Sequence, residues 1–211
     1  MNVTGSGSIE PRRAAGRLRR AARGLLAGAL VASALAGCAS ADGLAGRYGT
    51  GQGYVSGDGA YLEVPADQRG EPVEFSGPTA DGGTFGSADL AGSVAVVNFW
   101  YAGCPPCRLE APDLAALSAE LGDVPFVGVN VYDTADVART FEEENAIEYP
   151  SILDVAAGSV QLAFAGTVAP NAVPTTIVLD REGRVAARIS GLLRDPDILR
   201  TMVETVQAEA S

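Results

Sequence analysis

From about residue 71 onward the chain switches repeatedly between two hydrophobic periods, and the switches mark its elements. Val94 to Trp100 is a run of β-type apolar residues, interrupted only by Asn98, and predicts a buried strand. A short turn follows. Residues 105–121 then place Leu114, Leu117 and Leu121 on one stripe, which predicts a helix. Upstream, Val73 and Phe75 predict a strand, Asp81-Gly82-Gly83 a turn, Thr84 to Gly86 a returning strand and Ser87 to Leu90 a helical turn. Downstream, Val124 to Val131 reads as a strand, and Asp133 to Asn145 as a helix with Val137 and Phe141 four residues apart. Ile147 to Asp154 reads as an extended or turn segment around Tyr149-Pro150, and Ala156 to Ala165 predicts a short helix. Thr175 to Asp180 and Arg184 to Ile189 form a hairpin across Arg181-Glu182-Gly183, and Asp195 to Ala208 is a final amphipathic helix. The order βαβα then ββα predicts an α/β fold. Its central mixed β-sheet is flanked by helices on both faces and preceded by an N-terminal β-hairpin extension. No internal repeat is present.

Before residue 70 the texture differs. Arg12, Arg13, Arg17, Arg19, Arg20 and Arg23 form a basic segment, and Leu25 to Leu35 is apolar but short for a membrane span. It closes on Leu35-Ala36-Gly37-Cys38, which resembles a bacterial lipobox, with Cys38 left to carry lipid after cleavage. An uncleaved anchor or a plain signal peptide would equally place residues 39–211 outside the cytoplasm. The residues around Arg19-Arg20 match twin-arginine export poorly. From 39 to about 68 the chain is rich in Gly, Ala, Ser and Asp and reads as a flexible tether; Tyr48, Tyr54 and Tyr61 are its only docking candidates. The division is therefore a lipoprotein signal peptide over 1–37, a tether over 38–69 and a folded domain over 70–211.

Composition narrows the chemistry. The 211 residues include no histidine and no lysine, so all 15 basic residues are arginine. Without histidine there is no Ser-His or Cys-His nucleophile pair and no imidazole metal ligand. Residues 1–37 carry a net +5, which leaves −16 on the remainder of a chain whose total is −11. An acidic body argues against nucleic acid and against anionic lipid surfaces. With no extra apolar segment, a monomer is the expectation. At 211 residues the core can be sizeable, so a disulfide is not needed as a staple.

Three cysteines are present, and if Cys38 is lipidated, Cys104 and Cys107 remain. Their CxxC spacing, at the junction of a buried strand and a helix N-terminus, reads as a thioredoxin-like redox motif. Three residues turn a helix by about 300°, so both sulfurs share one face. Cys104 would sit where unpaired N–H groups and the helix dipole favour a thiolate. Pro105 and Pro106 suit a first turn whose N–H groups need no helical partner. A structural disulfide or half of a metal site are the alternatives; the latter wants further Cys or His ligands, and there are none nearby.

Several further segments carry a family resemblance. Val96-Val97-Asn98-Phe99-Trp100, Cys104-Pro105-Pro106-Cys107-Arg108 and Glu110-Ala111-Pro112 resemble the TlpA/ResA-like membrane-tethered thiol-disulfide oxidoreductases of the thioredoxin superfamily. So do Gly128-Val129-Asn130, Tyr149-Pro150, Val173-Pro174-Thr175-Thr176 and Asp180-Arg181-Glu182-Gly183. The resemblance covers about residues 70–208 and implies a thioredoxin-like fold. Tyr101-Ala102-Gly103 departs from it, since that family often has Trp beside the first cysteine.

The resemblance implies roles. Cys104 is the nucleophile of disulfide exchange and Cys107 the resolving thiol. Glu110, on the same helical face, would lie buried and handle the proton of Cys107; the alternative is an ordinary exposed helix glutamate. Pro112 would kink the helix. Pro174 would take a cis bond facing the dithiol and leave the Val173 backbone free to pair with an extended substrate. Trp100 and Tyr101 could frame the substrate site, although Trp100 and Phe99 equally suit a core. No bound cofactor and no metal are implied. The usual task would be reducing disulfides in exported proteins, for example apocytochrome c, with electrons from a membrane thiol donor of the DsbD/CcdA kind. Three rivals stand beside this: a disulfide-forming oxidant, a peroxiredoxin-like peroxidase and a CxxC copper-binding lipoprotein. A peroxidase would want a Thr shortly before the first cysteine, where Trp100 to Gly103 stand. A copper protein gains nothing from Met1 or Met202, neither near the motif in sequence.

Overall fold

The structure is a computed structural model that describes residues 60–166 and 172–209. The predicted signal peptide, the lipidation candidate Cys38 and most of the predicted tether lie outside the described residues.

Eight strands form two sheets: β1 (Tyr61–Glu63), β2 (Ser76–Pro78), β3 (Thr84–Gly86), β4 (Ala95–Trp100), β5 (Phe126–Asn130), β6 (Ser151–Leu153), β7 (Thr175–Leu179) and β8 (Val185–Ser190). Six of them make the central sheet in the order β1-β8-β7-β4-β5-β6. β4 pairs in parallel with β5 and antiparallel with β7, so the sheet is mixed as the pattern predicts. β2 and β3 form the separate hairpin, and Phe75, expected inside its first strand, instead packs in the core just before it.

Side chains alternate across β4. Val96 points into a cluster with Leu114 and Leu117 of α1 (Pro105–Glu120) and with Leu199, Met202, Val203 and Val206 of α4 (Pro196–Gln207). Ala95, Val97 and Phe99 point the other way, toward Val160 of α3 (Ser159–Ala163) and toward Phe164. The period of two thus buries both faces of the strand. α2 (Ala135–Glu144) covers the end of the sheet near Trp100 through Ala138 and Phe141. Helix starts follow local chemistry. Asp195 accepts from the Asp197 N–H at 3.0 Å, and Asp154 accepts from the N–H groups of Val160 and Gln161. Pro112 lies inside α1 without ending it.

The folded unit begins earlier than composition suggests. Tyr61 pairs with Ile189 and Glu63 with Ala187, so part of the expected tether is a sheet strand. Gly, Ala and Ser content cannot reveal this, because the strand exists only against the open edge of β8 and through Tyr61 packing on the core. Arg69 then fastens the segment. Its side chain is 2% exposed and forks onto Glu209 with two 2.6 Å bonds. It also bonds Asp180 at 3.1 Å and the Val64 carbonyl at 3.0 Å.

Candidate active site

β4 ends at Trp100 and a four-residue turn delivers Cys104 as the N-cap of α1. Pro105 and Pro106 occupy the first helical positions, where no N–H is missed. Cys104 and Cys107 are joined as a disulfide, with Cα atoms 5.2 Å apart. Both are nearly inaccessible, at 2% and 1%. The Cys107 N–H donates to the Cys104 sulfur at 3.2 Å, so the helix N-terminus presents a donor to that sulfur.

One turn further along α1, Glu110 is 1% exposed. No cation bonds it. Its Oε1 accepts from Asn98 Nδ2 at 3.0 Å, and its Oε2 from the Leu193 backbone N–H at 2.8 Å. Burial pushes the carboxyl up to about 7, against the pull of those two donors and with a further push from Asp113. Nearby Tyr149 is pushed well above the ordinary phenol range by burial and then by the charges of Glu110 and Glu142. The expectation that Glu110 is buried therefore holds.

Asn98, conspicuous in an apolar strand, also donates to Thr176 Oγ1 at 3.1 Å on the neighbouring strand. This double donation orients its amide, and the polar residue within the apolar run was the only sequence signal of it. The Leu193 contribution had no signal, since a backbone N–H leaves no mark on residue type.

The Val173–Pro174 bond is cis, as expected. Val173 packs against the cluster that holds both cysteines and makes no backbone hydrogen bond among the described residues. Tyr101 packs against the same cluster, half-buried. Trp100, expected either to frame the substrate site or to join the core, is 3% exposed, stacked on Phe141 at 4.6 Å and in the same cluster as both cysteines. Among the described residues no group of three or more Cys, His, Asp or Glu side chains could hold a metal, and no helix is long and apolar enough to cross a membrane.

A disulfide closing one helical turn could staple many folds. Here it caps a helix fed by the central strand of a mixed sheet, beside a cis-proline loop and above a carboxyl tuned near neutrality. That combination defines a thioredoxin-fold thiol-disulfide oxidoreductase.

The AhpC/TSA family matches residues 70–188. Thiol:disulfide interchange protein HelX from Rhodobacter capsulatus is 34% identical over 147 residues, covering 69% of this chain and 76% of that protein. Thiol-disulfide oxidoreductase ResA from Bacillus subtilis is 29% identical over 134 residues, covering 63% and 65%. A secreted thiol-disulfide isomerase from Corynebacterium glutamicum superposes with a TM-score of 0.62 at 30% identity, covering 73% of this chain and 96% of that one. The chain belongs to the AhpC/TSA family of the thioredoxin superfamily, among its TlpA/ResA-like members.

Proposed function

We propose that this protein is a lipid-anchored extracytoplasmic enzyme that reduces disulfides in exported proteins, with Cys38 as its anchor. The observation that carries the reading is a buried carboxyl, without a cation, one turn below the Cys104–Cys107 disulfide. In the reduced enzyme the Cys104 thiolate attacks a substrate disulfide, forming a mixed disulfide and releasing one substrate thiolate. Cys107 gives its proton to the Glu110 carboxylate and attacks the Cys104 sulfur. The second substrate sulfur leaves as a thiolate with the electron pair of its bond to Cys104, so the substrate disulfide has gained two electrons, and the enzyme ends as the disulfide present in this structure. A group titrating near 7 can accept and return that proton at working pH. The Val173 backbone, Pro174 and Tyr101 bind the extended substrate by strand addition beside Cys104. Apocytochrome c is a fitting substrate, and a DsbD/CcdA-type membrane thiol protein a fitting donor. The protein acts as a monomer and uses no bound cofactor.

The test is the reduction potential of the Cys104–Cys107 pair in a fragment starting after Cys38, equilibrated against dithiothreitol and glutathione buffers. A value near −270 mV is expected for a reductase. A value near −120 mV would make it a disulfide-forming oxidant and remove the cytochrome expectation.

A further inference from the structure

Tyr132 was not among the site residues that the sequence suggested. It follows β5 on the loop leading to α2, and at 73% it is among the most exposed large side chains described. Its ring lies 5.6 Å from that of Tyr101. Tyr101 in turn covers the peptide before Cys104: a Cβ placed on Gly103 would sit 3.3 Å from the Tyr101 ring. The two rings therefore form a continuous aromatic surface that starts at the dithiol and runs outward.

The loop that presents Tyr132 is tied down. Asn130 is fully buried, and its Oδ1 accepts from the N–H groups of Tyr132 at 3.1 Å and Asp133 at 2.7 Å. Its Nδ2 donates to Asp133 Oδ2 at 2.9 Å. The same Asp133 oxygen accepts from the Ala102 N–H at 2.6 Å, which clasps this loop to the turn before Cys104. Arg108 Nη1 donates to the Ala102 carbonyl at 3.3 Å from the other side. An exposed tyrosine on a free loop would lose conformational entropy on binding. Here a buried asparagine and a carboxylate clasp already hold the loop backbone, so binding costs only the freedom of the Tyr132 side chain itself.

Resting on the exchange reaction above, we propose that Tyr132 is a specificity-determining residue. Tilted against Tyr101, it receives an apolar or aromatic side chain next to the reacting cysteine of an extended polypeptide. Tyrosine suits this place because its ring contributes contact area while its hydroxyl stays wet. The platform adds nothing to the sulfur chemistry. It discriminates by what flanks the cysteine.

The experiment compares wild type with Tyr132→Ala and Tyr132→Phe in single-turnover exchange from the dithiol-reduced protein. Three oxidants are used: a peptide disulfide with Phe beside its cysteine, the same peptide with Ser there, and hydroxyethyl disulfide. Tyr132→Ala is expected to slow the Phe peptide about two- to tenfold, the range of one aromatic contact, and to leave the other two unchanged. Tyr132→Phe keeps the wild-type rate. Equal slowing on all three oxidants would show that the residue acts through Cys104, which overturns the proposal. So would unchanged rates throughout. A wild-type protein that reduces none of the three would instead overturn the exchange reading itself, and this inference with it.

Discussion

Glu110 and Asp180 are both sealed from water, at 1% and 3% exposure, but their surroundings differ in kind. Asp180 follows β7 at the end of the sheet where β4 begins; Glu110 packs against Asn98, in the half of β4 nearer its other end. Around Asp180, Arg69 and Arg184 bring guanidinium groups to one oxygen at 3.1 and 2.8 Å. Backbone N–H groups of Glu182 and Arg184 satisfy the other. Burial works against the Arg69 cation, but its bonds to Glu209 and Asp180 hold it above its ordinary range. Around Glu110 the partners among the described residues are an amide and one backbone N–H, without a cation. The first site neutralises a charge and locks the start and end of the domain together. The second leaves the carboxyl without that compensation, and burial raises it to about 7. Whether a cation accompanies a buried carboxyl thus decides whether burial or charge pairing sets its proton affinity.

The largest expected effect is at the locked site. Arg69→Ala leaves Glu209 to water and Asp180 with a single arginine, and should cost about 3 kcal/mol in denaturant melts. Exchange measured on the folded protein should be unchanged. Loss of activity without loss of stability would break the proposed division of labour.

Next is Glu110→Gln. The folded carboxyl at about 7 binds its proton more tightly than an unfolded one at 4.5. Wild-type stability is therefore full below about pH 4.5 and falls as pH rises toward 7, by roughly 3 kcal/mol in all. The glutamine variant, which cannot ionise, should show no such slope in urea melts taken between pH 5 and 8. Its disulfide exchange should slow, on the order of a hundredfold, if the carboxyl accepts the Cys107 proton.

The smallest effect sharpens the comparison. Asn98→Leu removes one donor to ionised Glu110 and so disfavours the charged form. The midpoint of the stability slope and of the exchange-rate profile should move up by about one pH unit. A midpoint that stays put in both would mean that the Leu193 N–H alone sets the carboxyl.

Much of the architecture was legible in the chain. The runs at 94–100, 124–131 and 175–189 became β4, β5 and the β7–β8 hairpin with ends shifted by a residue or two. The helix over 105–121 appeared as 105–120. The short helix expected from Ala156 shrank to Ser159–Ala163 because Gly158, at φ 60°, sits just outside it and Asp154 caps its first N–H groups. Trp100 could be read either as frame or as core, and only the fold shows it packed on Phe141 beside the dithiol.

By itself the sequence determined the strand and helix order, the dithiol and its place at a helix start, because periodicity and a three-residue spacing are local properties. Only the tertiary structure decided which polar groups meet. The Leu193 N–H reaches Glu110 across 83 residues, and Arg69 reaches Glu209 across 140. The Asp133 clasp on Ala102 spans 31. Such pairings depend on how the chain returns upon itself, and in a folded interior a carboxyl's proton affinity is set by whatever that return places beside it.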